Sequence, residues 1–162
     1  MDEDRSTNRA GELSAGRSRS RADEPSPGRY LIPFAATLVF LCALNYLFHQ
    51  VLAADFFDRE LQGKVLPLRQ VRPLWPTVIY AMSALAMVAF ASRRKETDSP
   101  WRAAVLGGGF VGLLTFGTWN LMNYAWLPGW PLPVVLVDTA WHVVCGLISG
   151  AVLARWLPSS RG

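Results

Sequence analysis

The sequence predicts an all-α polytopic membrane protein, a four-helix transmembrane bundle preceded by a disordered tail. Three observations carry that prediction. Four apolar segments follow one another at about 30–54, 73–92, 101–126 and 132–157. Each has about the 20 residues that a helix needs to cross ~30 Å of hydrocarbon, and an open sheet has no place in lipid. Charged residues make up only 17% of the chain, below the roughly 25% of a soluble domain. Finally, Trp75, Trp101, Trp126, Trp130 and Trp156 fall near segment ends, where interfacial aromatic residues collect.

Residues 1–29 come first. Six arginines there (Arg5, Arg9, Arg17, Arg19, Arg21 and Arg29) face six acids, among Ser, Gly and Pro. With almost nothing apolar to bury, the stretch cannot offset its ordering entropy, and a disordered cytoplasmic tail is expected. The polar stretch is too long for a signal peptide, and no small-residue cleavage pattern follows the first apolar segment.

Lys and Arg then set the orientation. With the N-terminus inside, twelve fall on the cytoplasmic side: six in the tail, Arg93, Arg94, Lys95 and Arg102 in the second loop, and Arg155 and Arg161 at the C-terminal end. The outer loops hold four (Arg59, Lys64, Arg69 and Arg72), all in the first. That asymmetry places both termini in the cytoplasm, in the inner membrane, with 158–162 as a short cytoplasmic tail.

The first outer loop has a pattern of its own. Asp55 is placed to cap a short helix, with Asp58 in its first turn. Phe57, Leu61 and Val65 recur every four residues, and Asp58, Arg59, Glu60 and Lys64 take the other face. This predicts an interfacial helix on the outer membrane surface, weakened by Gly63 and ended by Pro67, Pro73 and Pro76.

Several function classes are excluded or left without support. The net charge of +4 resides in tail and loops, and no basic stripe alternates with aromatics, so nucleic acid is not an expected partner. Cys42 and Cys145 sit inside apolar runs with no metal-ligand spacing, and they read as small hydrophobes. Two histidines and one intramembrane acid make a thin metal site, so neither a metal nor another cofactor is expected.

Counting inward from the cytoplasmic end of each helix aligns the unusual residues. Gly108 and Gly112 lie seven and eleven positions from Trp101, and Gly150 and Gly146 lie seven and eleven from Leu157. Two GxxxG motifs at one depth predict close packing of the third and fourth helices, since small residues let backbones approach. Asn120, Asp138 and His49 each lie nineteen positions from their own inner ends, with Asn45, Asn123 and His142 within one turn. The spacings Asn45/His49, Asn120/Asn123 and Asp138/His142 put each pair on one helix face. A polar cluster in the outer half of the bundle is expected, walled by Trp119, Tyr124 and Trp141. An aspartate at that depth is costly and should face inward with partners. Such groups also serve purely as hydrogen-bonding glue between helices.

The segment GTWNLMNYAWLPGWPLPVVLVDTAWH, Gly117 to His142, carries a resemblance. It is similar to a family of small bacterial predicted membrane proteins known as a domain of unknown function (DUF2177). Those proteins have four spans, a Tyr-Asp-Leu-Thr-Asn signature on the third, an Asp-x-Ala-Trp-Gly signature on the fourth, and a Gly-Trp-Pro turn between. The matching residues here are Trp119 to Asn123, Asp138 to His142, and Gly129 to Pro131. The stretch Ala53 to Gly63 also resembles the family's aromatic-Arg-x-Leu-Gly piece, and the likeness covers about Tyr30 to Leu157. The resemblance implies Asp at positions 120 and 45, where this chain has amides, and Gly at position 142, where it has an imidazole. Any proton or cation handling in the family is therefore altered here, with Asp138 the remaining acid. The resemblance implies no reaction.

The leading expectation is a protein that holds a lipid or small amphiphile, or docks as an accessory subunit or homo-oligomer in a membrane complex. A second is a membrane enzyme or enzyme subunit in lipid modification, with Asp138 and His142 in acid-base roles. No nucleophile elbow, HExxH or nucleotide loop supports a specific catalytic residue, and the balance is against an enzyme. A small transporter is third, disfavoured because four helices without an inverted repeat make a poor alternating-access device.

Overall fold

A computed structural model describes residues 28–65, 74–93 and 99–157, and every regular element among them is helical. From Ile32 onward the chain packs as one unit. The expected tail up to residue 27, the prolines at 67 and 73, the basic residues at 69, 72, 94 and 95, and the C-terminal tail 158–162 lie outside the described residues.

Helix α1 spans Gly28–Leu47 and continues as a π-helical turn, Phe48–Leu52. Pro33, Thr37, Leu41 and Asn45 form its buried stripe, one residue per turn. The π turn closes with the Ala53 N–H donating to the Phe48 carbonyl at 2.8 Å.

Helix α2, Ala54–Leu61, is the short helix the loop pattern predicts, with two differences. Ala53 occupies the cap position and no side chain caps the helix, so Asp55 lies inside the first turn rather than ahead of it. Its negative charge there still complements the helix N-terminus. The helix also stops early. Gln62 and Gly63 take left-handed backbone, at φ 34° and 79°, which leaves Val65 beyond the end and 45% exposed. Phe57 and Leu61 are buried against Val134, beside Phe48, Phe56 and Trp130. The apolar face therefore packs on the protein.

Helix α3, Leu74–Ser92, buries Ser83, Ala84, Met87, Val88 and Ala91. Its serines satisfy themselves locally, Ser83 donating to the Ile79 carbonyl at 2.9 Å. The third long helix runs as α4 (Pro100–Ala103), a π segment (Ala104–Gly109), α5 (Phe110–Gly112), a second π segment (Leu113–Gly117) and α6 (Thr118–Trp126). Three successive glycines lie in the first π segment, where the absence of Cβ lets the coil widen and a neighbour come close. A turn then reverses the chain. Gly129 supplies φ 71°, and the Trp130 N–H donates to the Leu127 carbonyl at 3.1 Å. Helix α7, Leu132–Trp156, follows, with Pro133 in its first turn, where no N–H is missed.

Among the described residues, three helices are long and apolar enough to cross a membrane: Tyr30–Leu52, Ala104–Trp126 and Leu132–Trp156. The apolar part of α3, Pro76–Ser92, is shorter at 17 residues, or ~26 Å at about 1.5 Å each. The outside of the bundle is hydrocarbon-like, with Ile32, Val39, Met82, Leu85, Leu121 and Leu136 exposed. Its inside holds Thr37, Asn45, Ser83, Asn120, Asp138, His142 and Ser149. Polar residues inside and large apolar ones outside is the arrangement lipid selects.

The glycines bring the third helix onto α7. A Cβ on Gly108 would overlap the Gly146 carbonyl and stand 3.0 Å from the Gly150 nitrogen. One on Gly112 would overlap the His142 carbonyl, and one on Gly150 would reach Ala104 at 3.0 Å. All four expected glycines are in this seam. Gly108 sits between Gly146 and Gly150, so Gly112 meets His142 one turn beyond the level pairing that counting from the ends gives. Helix ends need not be level, and counting fixes depth only to about a turn.

Candidate functional site

The site grows directly out of that seam. Beyond the Gly112–His142 contact, Phe116 and Asn120 continue up the third helix, and Asp138 lies one turn before His142 on α7. Helical side chains lean toward their own N-terminus, and these helices are antiparallel. Each therefore leans back along its own helix, toward the other, and the two meet: Asn120 Nδ2 donates to Asp138 Oδ2 at 2.7 Å. The same amide lies 3.4 Å from Thr139 Oγ1.

The π turn of the first helix brings the third partner. His49 Nε2 is 2.8 Å from Asp138 Oδ1. Its other nitrogen, Nδ1, lies 3.0 Å from the Asn45 carbonyl. A carbonyl only accepts, so Nδ1 carries hydrogen. One proton then lies between Nε2 and the carboxylate, as an imidazolium–carboxylate pair or an imidazole–carboxylic acid pair. Both forms have zero net charge, which limits the cost of burial in hydrocarbon.

His142 is held by the same residue. Its Nδ1 lies 2.8 Å from the Asp138 carbonyl and 3.4 Å from Oδ1. Both neighbours accept, so Nδ1 is the donor, and in the neutral ring Nε2 keeps its lone pair. That Nε2 is buried with no hydrogen-bond partner. The ring is stacked on Phe116, centroids 3.5 Å apart and planes 17° apart, with Tyr80 beyond at 6.5 Å.

These groups form one wall of a cleft of about 220 Å³. His49, Asp138 and His142 supply its polar wall; Tyr80, Phe116, Trp119, Pro76 and Ile79 supply the rest. The first helix, α3, the third helix and α7 all contribute. Among the described residues, no three metal-ligating side chains stand at metal-binding separations.

The other expected site residues lie elsewhere. Asn45 is buried, but its Nδ2 donates to the Leu41 carbonyl of its own helix at 2.9 Å, and its Oδ1 has no partner. Asn123 is half-buried and contributes only its carbonyl, to the Leu127 N–H at 2.9 Å. Tyr124 is exposed and does not line the cleft. Trp141 stacks face to face on Phe48, centroids 4.2 Å apart, outside the cleft lining. Conversely, sequence reasoning expected the span that became α3 but none of its cleft residues, Pro76, Ile79 and Tyr80. Tyr80, three residues before the buried Ser83 and four before Ala84 on the same helix face, is the one aromatic hydroxyl in an otherwise mostly aliphatic segment and was the available signal.

Fold and site together define a polytopic membrane protein with a polar cleft among its helices. Its particular family can be stated: residues 30–154 match the family described as "Predicted membrane protein (DUF2177)", and the chain belongs to it. Neither a curated protein nor a solved structure matches the chain. The family is one of unknown function.

Proposed function

We propose that this chain is a four-span inner-membrane protein, with both termini cytoplasmic, that holds a lipid or small amphiphile in the outer half of its bundle. The cleft supports this reading most directly. It opens among apolar helices, its larger wall is aromatic and aliphatic, and its smaller wall is a hydrogen-bonded His49–Asp138–Asn120 group beside His142. That pairing suits a ligand with a polar head and an apolar body. Helix α2 covers the same end of the bundle, through Phe57 and Leu61 on Val134. The excess of Lys and Arg on one side sets the orientation, and α3 completes the count of spans by tilting little and using its terminal residues. Docking on a larger membrane complex, or on a second copy, is compatible with the same cleft.

Purification in mild detergent, followed by mass spectrometry of bound lipid, tests this reading. A lipid retained in stoichiometric amount, and displaced from the Trp119→Ala variant, is the expected result. Bare protein from both would remove the binding reading.

One observation favours an enzyme as the second reading. The Asp138 carbonyl fixes His142 Nδ1, with its carboxylate at 3.4 Å, and Nε2 has no partner, an orienter-and-base relation of the kind acid-base catalysis uses. A changed lipid profile on gene deletion, with purified protein bare, would support that reading.

A further inference from the structure

The polar wall of the cleft has spent its donors. His49 Nδ1 gives its hydrogen to the Asn45 carbonyl, and Nε2 shares its proton with Asp138. His142 Nδ1 gives to the Asp138 carbonyl. Asn120 directs its amide at Asp138 and Thr139. What remains on that wall is acceptor capacity, while the Tyr80 hydroxyl and Trp119 indole N–H elsewhere in the lining are neutral donors. A carboxylate has about four lone-pair positions, and His49 and Asn120 occupy one on each oxygen. The Asp138 side chain is 10% exposed and lines the cleft, so its spare lone pairs face that space.

Charge narrows the occupant further. The His49–Asp138 pair is neutral as a whole, and among the described residues no Lys or Arg lines the cleft. A phosphate would meet the Asp138 acceptor and, among the described residues, only neutral donors and no cation. An ammonium would meet a carboxylate already neutralised by His49, and would leave its own hydration shell without an unpaired counter-charge to replace it. A hydroxyl is both uncharged and a donor. Phe116 and Trp119, with the ring face of Tyr80, then offer flat surface to the carbon skeleton that carries it.

We propose that the cleft receives the free hydroxyl of an uncharged amphiphile, which donates to Asp138 while its carbon skeleton lies on Phe116 and Trp119. The inference rests on the binding reading above and adds the chemical class of the head group.

The test uses full-length protein in phosphatidylcholine nanodiscs and three probes of matched acyl chains: diacylglycerol, phosphatidic acid and phosphatidylethanolamine. Binding is read by native mass spectrometry and by tryptophan fluorescence. Diacylglycerol is expected to bind at least tenfold more tightly than either of the others. Asp138→Asn keeps the fold, because the new amide donates to a neutral His49 and accepts from Asn120. It places an N–H where the spare acceptor was, and should weaken diacylglycerol binding about tenfold while the folded bundle is retained. Trp119→Ala, at a residue already 53% exposed, should weaken it several-fold. Tighter binding of phosphatidic acid or phosphatidylethanolamine, lost in Trp119→Ala, would overturn the hydroxyl assignment and leave the amphiphile cleft standing. Binding of no probe in a Trp119-dependent way would overturn both.

Discussion

Gly146→Ala is expected to destabilise the bundle by about 3 kcal/mol, near the upper end of the usual cost of overpacking. The added methyl would enter the Gly108 carbonyl, and its next neighbour, the Gly109 nitrogen at 3.3 Å, is also backbone. Backbone cannot rotate away as a side chain can, so the two helices must separate. Separation also loosens Gly112 from His142 and Gly150 from Ala104, because one seam holds all three contacts. Gly117→Ala is the control. Its Cβ would rest 3.4 Å from Thr139 Cγ2 and 3.5 Å from Leu113 Cδ1, ordinary contact distances. Alanine is favoured over glycine within a helix by up to about 1 kcal/mol, so this variant should match or exceed the parent. Thermal unfolding of the two variants in nanodiscs measures both. If Gly146→Ala gained stability as Gly117→Ala does, helix propensity and not backbone contact would govern the seam.

Asp138→Ala is expected to cost about 2–4 kcal/mol. The substitution removes the acceptor of both the His49 ring and the Asn120 amide, and leaves two donors buried between helices. Each orphaned group costs roughly 1–3 kcal/mol in a protein interior, and interhelical hydrogen bonds in membranes average toward the low end. Asp138→Asn should lose less than 1 kcal/mol, being able to satisfy both partners at once. Unfolding by denaturing detergent distinguishes the two variants. If Asp138→Ala proved as stable as the parent, the carboxylate would hold nothing together.

Much of this geometry was legible in the sequence because hydrocarbon restricts what a helix can carry. Asp138, His142, Gly146 and Gly150 fall on one row at i, i+4 spacing, and an aspartate in a span has few tolerable directions. His49 and Asn120 follow from depth counting alone. Depth is one coordinate, however, and direction around the helix is another. Asn123 is three residues from Asn120 and so stands about 60° around an ideal helix. Its side chain takes no part in the hydrogen bonds at Asp138, and Tyr124 points outward. The two π segments add further rotation that composition does not announce. Tyr80 was hidden for another reason. Helix α3 has no charge, amide or imidazole to count, so a span that supplies three cleft residues reads as plain hydrophobic packing. The same limit applied to α2. Periodicity gave its apolar face, but only tertiary contact decides whether that face meets lipid or, as Phe57 and Leu61 do, another part of the chain.

A double-mutant cycle between His49 and Asp138 examines the contact on which the cleft depends. Stability of the parent, His49→Ala, Asp138→Ala and the double variant would be measured in one lipid composition. Groups in direct contact show a coupling energy, and distant ones add within about 0.3–0.5 kcal/mol. The 2.8 Å contact predicts that the double variant loses at least 1 kcal/mol less than the two single losses combined. Simple additivity would mean that His49 and Asp138 do not touch in the membrane, and the polar wall described above would not exist.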